Sequence, residues 1–477
     1  MALNFNYIRN RIAEHRKDDL LRFSYELLDE KKDEIYPIWS IFLLMKWTFI
    51  YGGGKYPSKP LTSLKYEKIL KCIANFNQEH ISDFIKNSQW KKAFQIIHTQ
   101  QLYLQKSVYT ALFSTQLKLF SVLTGKYNFE NSFKEKTGLS IVDFLLIAKI
   151  FWLYINIEKF KKPFLYFDGK FHSDLFEVAN QLMGKEKIIS FIHLLTLNPT
   201  NVLCSVDSFR YKVKKESLQT MEMSFFTMYP FQLFEKNIRL VHPSIFNHTI
   251  NYYLYDFLKS TDEKFTTEFG NRLEKYVALG LIEMGVNIKT ENDLKKILMN
   301  SKLVDFFLPN DNIFIEVKAS ELQVYPSVNP TDELLFNSFR TSIFKAYFEQ
   351  MRVVAKQLSP NEENYGIIIT YKELFWSDFS ELHPIGKKYY KDESDETHIP
   401  PENVFIIDIY TWDLIVQIVK EKKETLKNIL RFAKNNNSDS KSFRQLFSMQ
   451  IDEYRPLSLD LSYLQHENIR LDLESMA

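Results

Sequence analysis

Cysteine and glycine are scarce in this chain of 477 residues, which has 2 Cys and 12 Gly. Cys72 and Cys204 lie far apart with no metal-type spacing, which excludes a disulfide framework and fits a reducing compartment. The 10 histidines offer no His/Cys pairing suited to zinc. Little glycine means few tight turns and favours long helices. Net charge is also small, +2, so the protein is not a histone-like coat for nucleic acid, and any nucleic-acid surface has to be local. The N-terminal stretch carries Arg9, Arg11, Glu14, Arg16, Lys17, Asp18 and Asp19 and lacks an apolar segment, so it does not read as a secretory signal. Residues 35–51 include Pro37 and Lys46, and residues 140–157 include Asp143 and Lys149, charges that are costly at bilayer depth. Both stretches read as buried helices of a soluble protein. The expected location is cytoplasmic, with no membrane partner.

Aromatic residues are what the chain has in quantity: 41 Phe and 26 Tyr, enough to fill a large core. The length exceeds what one core usually organises and predicts two domains or three. Residues 1–235 read as an aromatic-rich helical domain, with apolar residues at three- and four-residue spacing over 66–84, 93–123 and 141–157. Its expected role is sensing or substrate recognition, with a phage-derived trigger or a protein as its partner. The texture changes after Pro230. A helix is expected over 263–284, then a short polar helix over 291–300, two strands, a helix over 334–358, apolar runs over 365–371 and 404–410, and a last helix over 412–433. Strand, helix and strand alternate as in an α/β layer. Residues 236–434 form the second expected domain, and the polar run 435–440 opens a linker and C-terminal tail, 435–477.

Chemistry concentrates between Asp305 and Lys318. Two short apolar runs, each β-branched or aromatic, flank Pro309-Asn310-Asp311-Asn312, a turn signal, so the segment predicts a β-hairpin. With Asn310 and Asp311 as the loop, counting outward sets Asp305 opposite Glu316, their Cβ atoms roughly 5 Å apart. Alternation sends Phe314, Glu316 and Lys318 to the face of Asp305, while Ile313, Ile315 and Val317 take the other. An odd loop length would split the carboxylates across the sheet. Two carboxylates and an amine on one face are the minimal equipment for metal-assisted phosphodiester hydrolysis. Asp305 and Glu316, with the Val317 carbonyl, are hard oxygen ligands for Mg2+ or Mn2+. Lys318 is placed to orient or deprotonate water and to stabilise negative phosphoryl oxygens.

These residues resemble the PD-(D/E)xK, or restriction-endonuclease-like, phosphodiesterase superfamily, whose order is helix, strand with Asp, strand with Glu-x-Lys, helix. The resemblance spans about residues 256–420, with Val304 where the family's eponymous proline stands. It implies an α/β nuclease core, a central mixed sheet flanked by helices, preceded here by the helical domain. Gly270-Asn271-Arg272-Leu273-Glu274 fits the family's Gly-x-x-x-Glu helix pattern, so the resemblance nominates Glu274, ahead of Glu268, as a further metal or water contact. Gln350, in Lys345-Ala346-Tyr347-Phe348-Glu349-Gln350, resembles the polar residue that some members carry on the following helix. The implied activity is divalent-metal-dependent hydrolysis of DNA in prokaryotic anti-phage defence. Two alternatives stay open: a ribonuclease toxin, including one that cleaves tRNA, and a non-catalytic nucleic-acid-binding scaffold with a remnant nuclease fold.

Other motifs weigh less. Arg9 and His15 have the Arg-x-x-x-x-x-His spacing of HEPN-type ribonucleases, which a charged helix explains equally well. Gly52-Gly53-Gly54-Lys55 lacks phosphate-loop spacing and reads as a turn. Basic clusters with aromatics at 159–162, 210–215 and 387–391 have the composition of phosphate-contacting surfaces. The third falls inside the nuclease-like region and is the best placed to touch substrate.

Overall fold

The chain is mostly helical, with two small mixed sheets. A computed structural model describes residues 5–29, 36–53, 59–87, 89–101, 108, 111–156, 164–165, 173–197, 218, 225–234, 237–298, 302–392, 398–437, 441–456 and 458–465. The first sheet joins β1 (Phe164–Leu165), β2 (Thr196–Leu197), β3 (Phe231–Phe234) and β4 (Asn237–Leu240) in the order β1-β4-β3-β2. The sequence reading expects only helices up to residue 235 and misses this sheet. β3 and β4 pair antiparallel with Phe234 opposite Asn237, so their hairpin straddles residue 235. Its connection, Glu235-Lys236, has none of the Gly, Asn or Asp that mark a two-residue turn.

The second sheet contains β5 (Lys289–Thr290), β6 (Phe306–Leu308), β7 (Ile313–Lys318), β8 (Tyr365–Thr370) and β9 (Val404–Asp408), in that order. β5, β6 and β7 run antiparallel, whereas β7, β8 and β9 run parallel, so β7 is both the middle strand and the point where the pairing changes. Near-continuous apolar runs such as Gly366-Ile367-Ile368-Ile369 suit strands covered on both faces. On one face Phe306, Leu308, Ile313, Ile315, Ile367 and Ile369 meet α1 (Pro243–Thr261) and α2 (Phe265–Glu283). On the other, Phe307, Phe314, Ile368, Val404 and Ile406 meet a long helix that starts as α3 (Asp332–Phe339). That helix passes through two π-helical stretches, Arg340–Phe344 and Ala346–Met351, before Arg352–Leu358. α4 (Leu382–Tyr390) packs beside it.

The expected last helix is two: α5 (Ile409–Lys420) and α6 (Leu426–Asn435). Lys422 takes the left-handed conformation at φ 56°, and the Thr425 hydroxyl caps α6 by accepting from the Asn428 N–H, so the chain turns where composition alone suggested continuity. The core around α1 and α2 is continuous from Phe113 and Phe144 in the first half to Phe443 and Phe447 of α7 (Phe443–Gln450) and Tyr463 near the C-terminus. A second apolar cluster gathers Phe5, Ile12, Tyr25 and Tyr66 around the helix Ile38–Tyr51. Among the described residues no single helix is long and apolar enough to cross a membrane; the bent pair Phe129–Thr137 and Ile141–Ile155, at 69°, passes only when joined, and its apolar residues belong to the core.

Candidate active site

The hairpin forms in the even register. Phe306 lies opposite Ile315, Phe307 opposite Phe314 and Leu308 opposite Ile313, so one further step sets Asp305 opposite Glu316. Asn312 closes the turn at φ 54°, a conformation that asparagine tolerates better than most side chains. Phe307 and Phe314 stack at 4.7 Å on the same face as the carboxylates and form an apolar floor beside them. The Asp305 carboxylate accepts the Val317 N–H at 2.7 Å, and its own carbonyl accepts the Glu291 N–H at 3.0 Å. Because the N–H and C=O of an extended residue point to one edge, the Val317 carbonyl faces the same side as Asp305.

Glu316 is completely buried. The Lys318 ammonium lies against one of its carboxylate oxygens as an ion pair, its side-chain partner among the described residues. Burial, then the nearby charge of Asp305, pushes the Glu316 carboxyl up to about 8, with Lys318 pulling the other way. Asp305 is also raised, first by burial and then by Glu291, against the pull of Lys318 and the Val317 N–H. For Lys318, burial works against the ammonium, but the charges of Glu316 and Asp305 outweigh it and the net shift is upward. Lys318 sits opposite Thr370 of β8, at the carboxyl ends of the parallel strands.

Glu274 projects from α2 and is exposed, yet close enough to feel the site: its carboxyl is raised by partial desolvation, then by Asp305 and Glu291, and lowered by Lys318. Among the described residues no group of three or more His, Cys, Asp and Glu side chains converges as a metal cage. Asp305, Glu316 and the Val317 carbonyl are the oxygens that could hold a divalent cation, with Glu274 at the rim. A buried carboxylate whose side-chain partner is Lys318, beside a second carboxylate, fits such an ion, since Mg2+ commonly takes one or two protein carboxylates and completes its shell with water and phosphate oxygens.

Gln350, buried in the second π-helical stretch, donates from Nε2 to the Leu303 carbonyl at 2.8 Å, while its Oε1 is buried without a partner. It grips the chain two residues ahead of Asp305. Glu268 is tied up elsewhere: it forms a buried ion pair with Arg272 at 3.0 Å and accepts the Lys126 N–H at 3.1 Å. Glu291, whose charge acts on both Asp305 and Glu274, escaped the sequence reading because only the β5–β6 pairing brings it near.

Outside this centre, His15 is buried with Nδ1 3.0 Å from the Lys59 carbonyl, where it holds a loop. Gly52 ends the helix Ile38–Tyr51 by donating to the Thr48 carbonyl, and Gly53 has φ 79°, as a turn requires. The basic clusters at 159–162 and 210–215 lie outside the described residues, while 387–391 closes α4. No protein-family model matches the chain, and no curated protein or solved structure is significantly similar to it.

Proposed function

We propose that this protein is a divalent-metal-dependent nuclease that hydrolyses phosphodiester bonds of DNA, with a PD-(D/E)xK-type centre at the β6–β7 hairpin. The observation that carries the reading is Glu316, fully buried, opposite Asp305 and ion-paired to Lys318. Asp305, Glu316 and the Val317 carbonyl would hold Mg2+ or Mn2+, and the bound ion supplies Lewis acidity toward the phosphate and a more acidic water. Lys318 would stabilise the phosphoryl oxygens or orient the attacking water. Glu274, whose carboxyl is raised by partial desolvation and by Asp305, stands at the rim, where it would contact metal or water. Gln350 positions Asp305 through the Leu303 carbonyl.

The test is plasmid cleavage with Mg2+ or Mn2+ by the full chain and by Asp305→Ala and Lys318→Ala. Each variant is expected to lose on the order of 10²–10⁴-fold in rate. Retention of full metal-dependent cleavage by either variant rejects the assignment. Parallel incubation with tRNA separates the ribonuclease reading, and for that reading the buried His15 offers a poor site. Anti-phage defence is the biological setting that the family resemblance implies. Toxicity on expression, relieved by Lys318→Ala, is the outcome expected of a triggered defence nuclease.

A further inference from the structure

The long helix that covers the catalytic face is interrupted by two π-helical stretches, a rare feature often associated with function. A cavity of about 400 Å³ opens between this helix and α4, lined by Phe336, Arg340, Lys345, Glu349, Tyr389 and Tyr390. Phe336 and Tyr389 stack as parallel plates at 4.4 Å and 11°. Tyr390 stacks on Phe348 at 4.9 Å and fixes its ring by donating to Glu349 at 3.1 Å. α4 approaches closely enough that a Cβ on Gly386 would stand 2.1 Å from the Phe348 ring, so glycine is required there. Beyond Tyr390 a second cavity, about 410 Å³, is lined by Phe348, Arg352, Lys356, Lys391 and Asp392, with Arg352 ion-paired to Asp392 and Tyr390 as the shared wall.

Charge favours an anion. Glu349, the inner carboxylate of the first cavity, is neutralised by Lys302 at 2.5 Å, and the other, Glu333, is exposed. Exposed Arg340 and half-buried Lys345 line the opening, and Lys388 sits 5.4 Å over the Tyr389 ring. Through Lys302 the cavity is linked to the hairpin: Lys302, paired to its Glu349, stands three residues before Asp305, a backbone span of at most about 10 Å.

We infer that this aromatic, cation-rimmed groove binds unpaired nucleotides of the substrate strand, so that the enzyme acts on single-stranded or locally unwound nucleic acid. The inference rests on the nuclease reading for the meaning of its position, but not for its binding chemistry. Bases stacked inside a duplex cannot enter cavities of this kind, whereas an unpaired base stacks on tyrosine while its phosphate meets Arg340 and Lys345. The test is fluorescence anisotropy of the full chain in EDTA with labelled oligo-dT, oligo-rU and a duplex of equal length. Unpaired strands should bind about tenfold more tightly than duplex, and the two single-stranded probes report whether the groove takes DNA or RNA. Arg340→Glu combined with Lys345→Glu should weaken single-strand binding by about tenfold and flatten the salt dependence by about 0.7 per lost contact. Tyr389→Leu, which keeps an apolar side chain against Phe336, should weaken binding with the salt slope unchanged. Equal or tighter binding of duplex, or wild-type affinity in the charge-reversed variant, overturns the groove. Binding without any metal-dependent cleavage would reject the nuclease reading and keep the groove; cleavage of duplex without preference for unpaired strands would do the reverse.

Discussion

A carboxyl group removed from water keeps its proton more readily than one in solution, and Glu316, at the centre of β7, is in that position even with the Lys318 ammonium opposing the shift. Its folded value, about 8, lies above the ordinary 4.5, so the folded protein binds that proton more tightly than the unfolded chain does. The stability this contributes is complete below pH 4.5 and is lost as pH rises through about 8. In EDTA the Glu316→Gln variant should therefore match wild type in acid and exceed it at alkaline pH by on the order of 1–3 kcal/mol, read by denaturant unfolding at both pH values. A divalent cation reverses the sign, because it binds the ionised carboxylate. Mn2+ should raise the alkaline melting temperature of wild type and leave Glu316→Gln unmoved; a variant that melts like wild type in EDTA and still responds to Mn2+ would remove Glu316 from the site. Asp305 and Lys318 could be paired with Glu316 from sequence, since they lie within one hairpin and any even-numbered connection, here the four residues Pro309 to Asn312 in place of the expected two, keeps the same parity.

At the scale of elements, α2 decides where Glu274 stands, and a single buried bridge anchors it. Arg272 pairs with Glu268 and donates to the carbonyls of Leu119 at 3.2 Å, Phe120 at 3.1 Å and Tyr127 at 2.7 Å. A Cβ on Gly125 would lie 1.6 Å from Glu268 Oε1, so that loop can approach α2 only because the residue is glycine. Arg272→Met should cost about 3–5 kcal/mol, since it strands a buried carboxylate, and adding Glu268→Met should recover part of the loss. Denaturant unfolding in a double-mutant cycle measures the coupling, and additive losses would show the two residues to be independent. The family pattern set Glu274 ahead of Glu268, but the reason Glu268 is structural was not legible, because its partners beyond Arg272 come from a turn far away in sequence. The same distance hid Glu291, the grip of Gln350 on Leu303 and the first sheet, whereas apolar periodicity located the helices over 63–86, 141–156 and 265–283 to within a few residues.

For the whole molecule, the last described segment is part of the core and not an appendage. Phe443, Leu446 and Phe447 of α7 are buried, Phe443 against Phe405 of β9 at 5.4 Å, and Leu461, Tyr463 and Leu464 are buried farther on. The Tyr463 hydroxyl donates to Asp413 of α5 at 2.9 Å, a carboxylate that also accepts from Thr115 at 3.0 Å and Tyr276 of α2 at 2.9 Å. One buried acid thus ties together the first half of the chain, the helix bearing Glu274 and the C-terminal segment. Composition suggested a linker and a tail after 435–440 without saying whether the tail docks, because a polar run looks alike whether it ends a domain or bridges two parts of one core. Removing everything after Asn437 would expose Phe405 and the apolar faces of α5 and α6, and it would leave Asp413 without one of its donors. At about 1.5–3 kcal/mol for each large apolar side chain whose burial is lost, removing this segment costs an amount comparable to the whole 5–15 kcal/mol margin of a typical fold. A chain ending at Asn437 should therefore express as aggregated or protease-sensitive material, while Tyr463→Phe, which removes one hydroxyl from an ionisable partner, should remain folded and lose about 1–3 kcal/mol. Limited proteolysis and thermal melting of the two proteins decide the matter: a truncated chain that melts cooperatively at the wild-type temperature would show the segment to be dispensable, and sensitivity confined to the truncation would place it in the core that holds the five-stranded sheet.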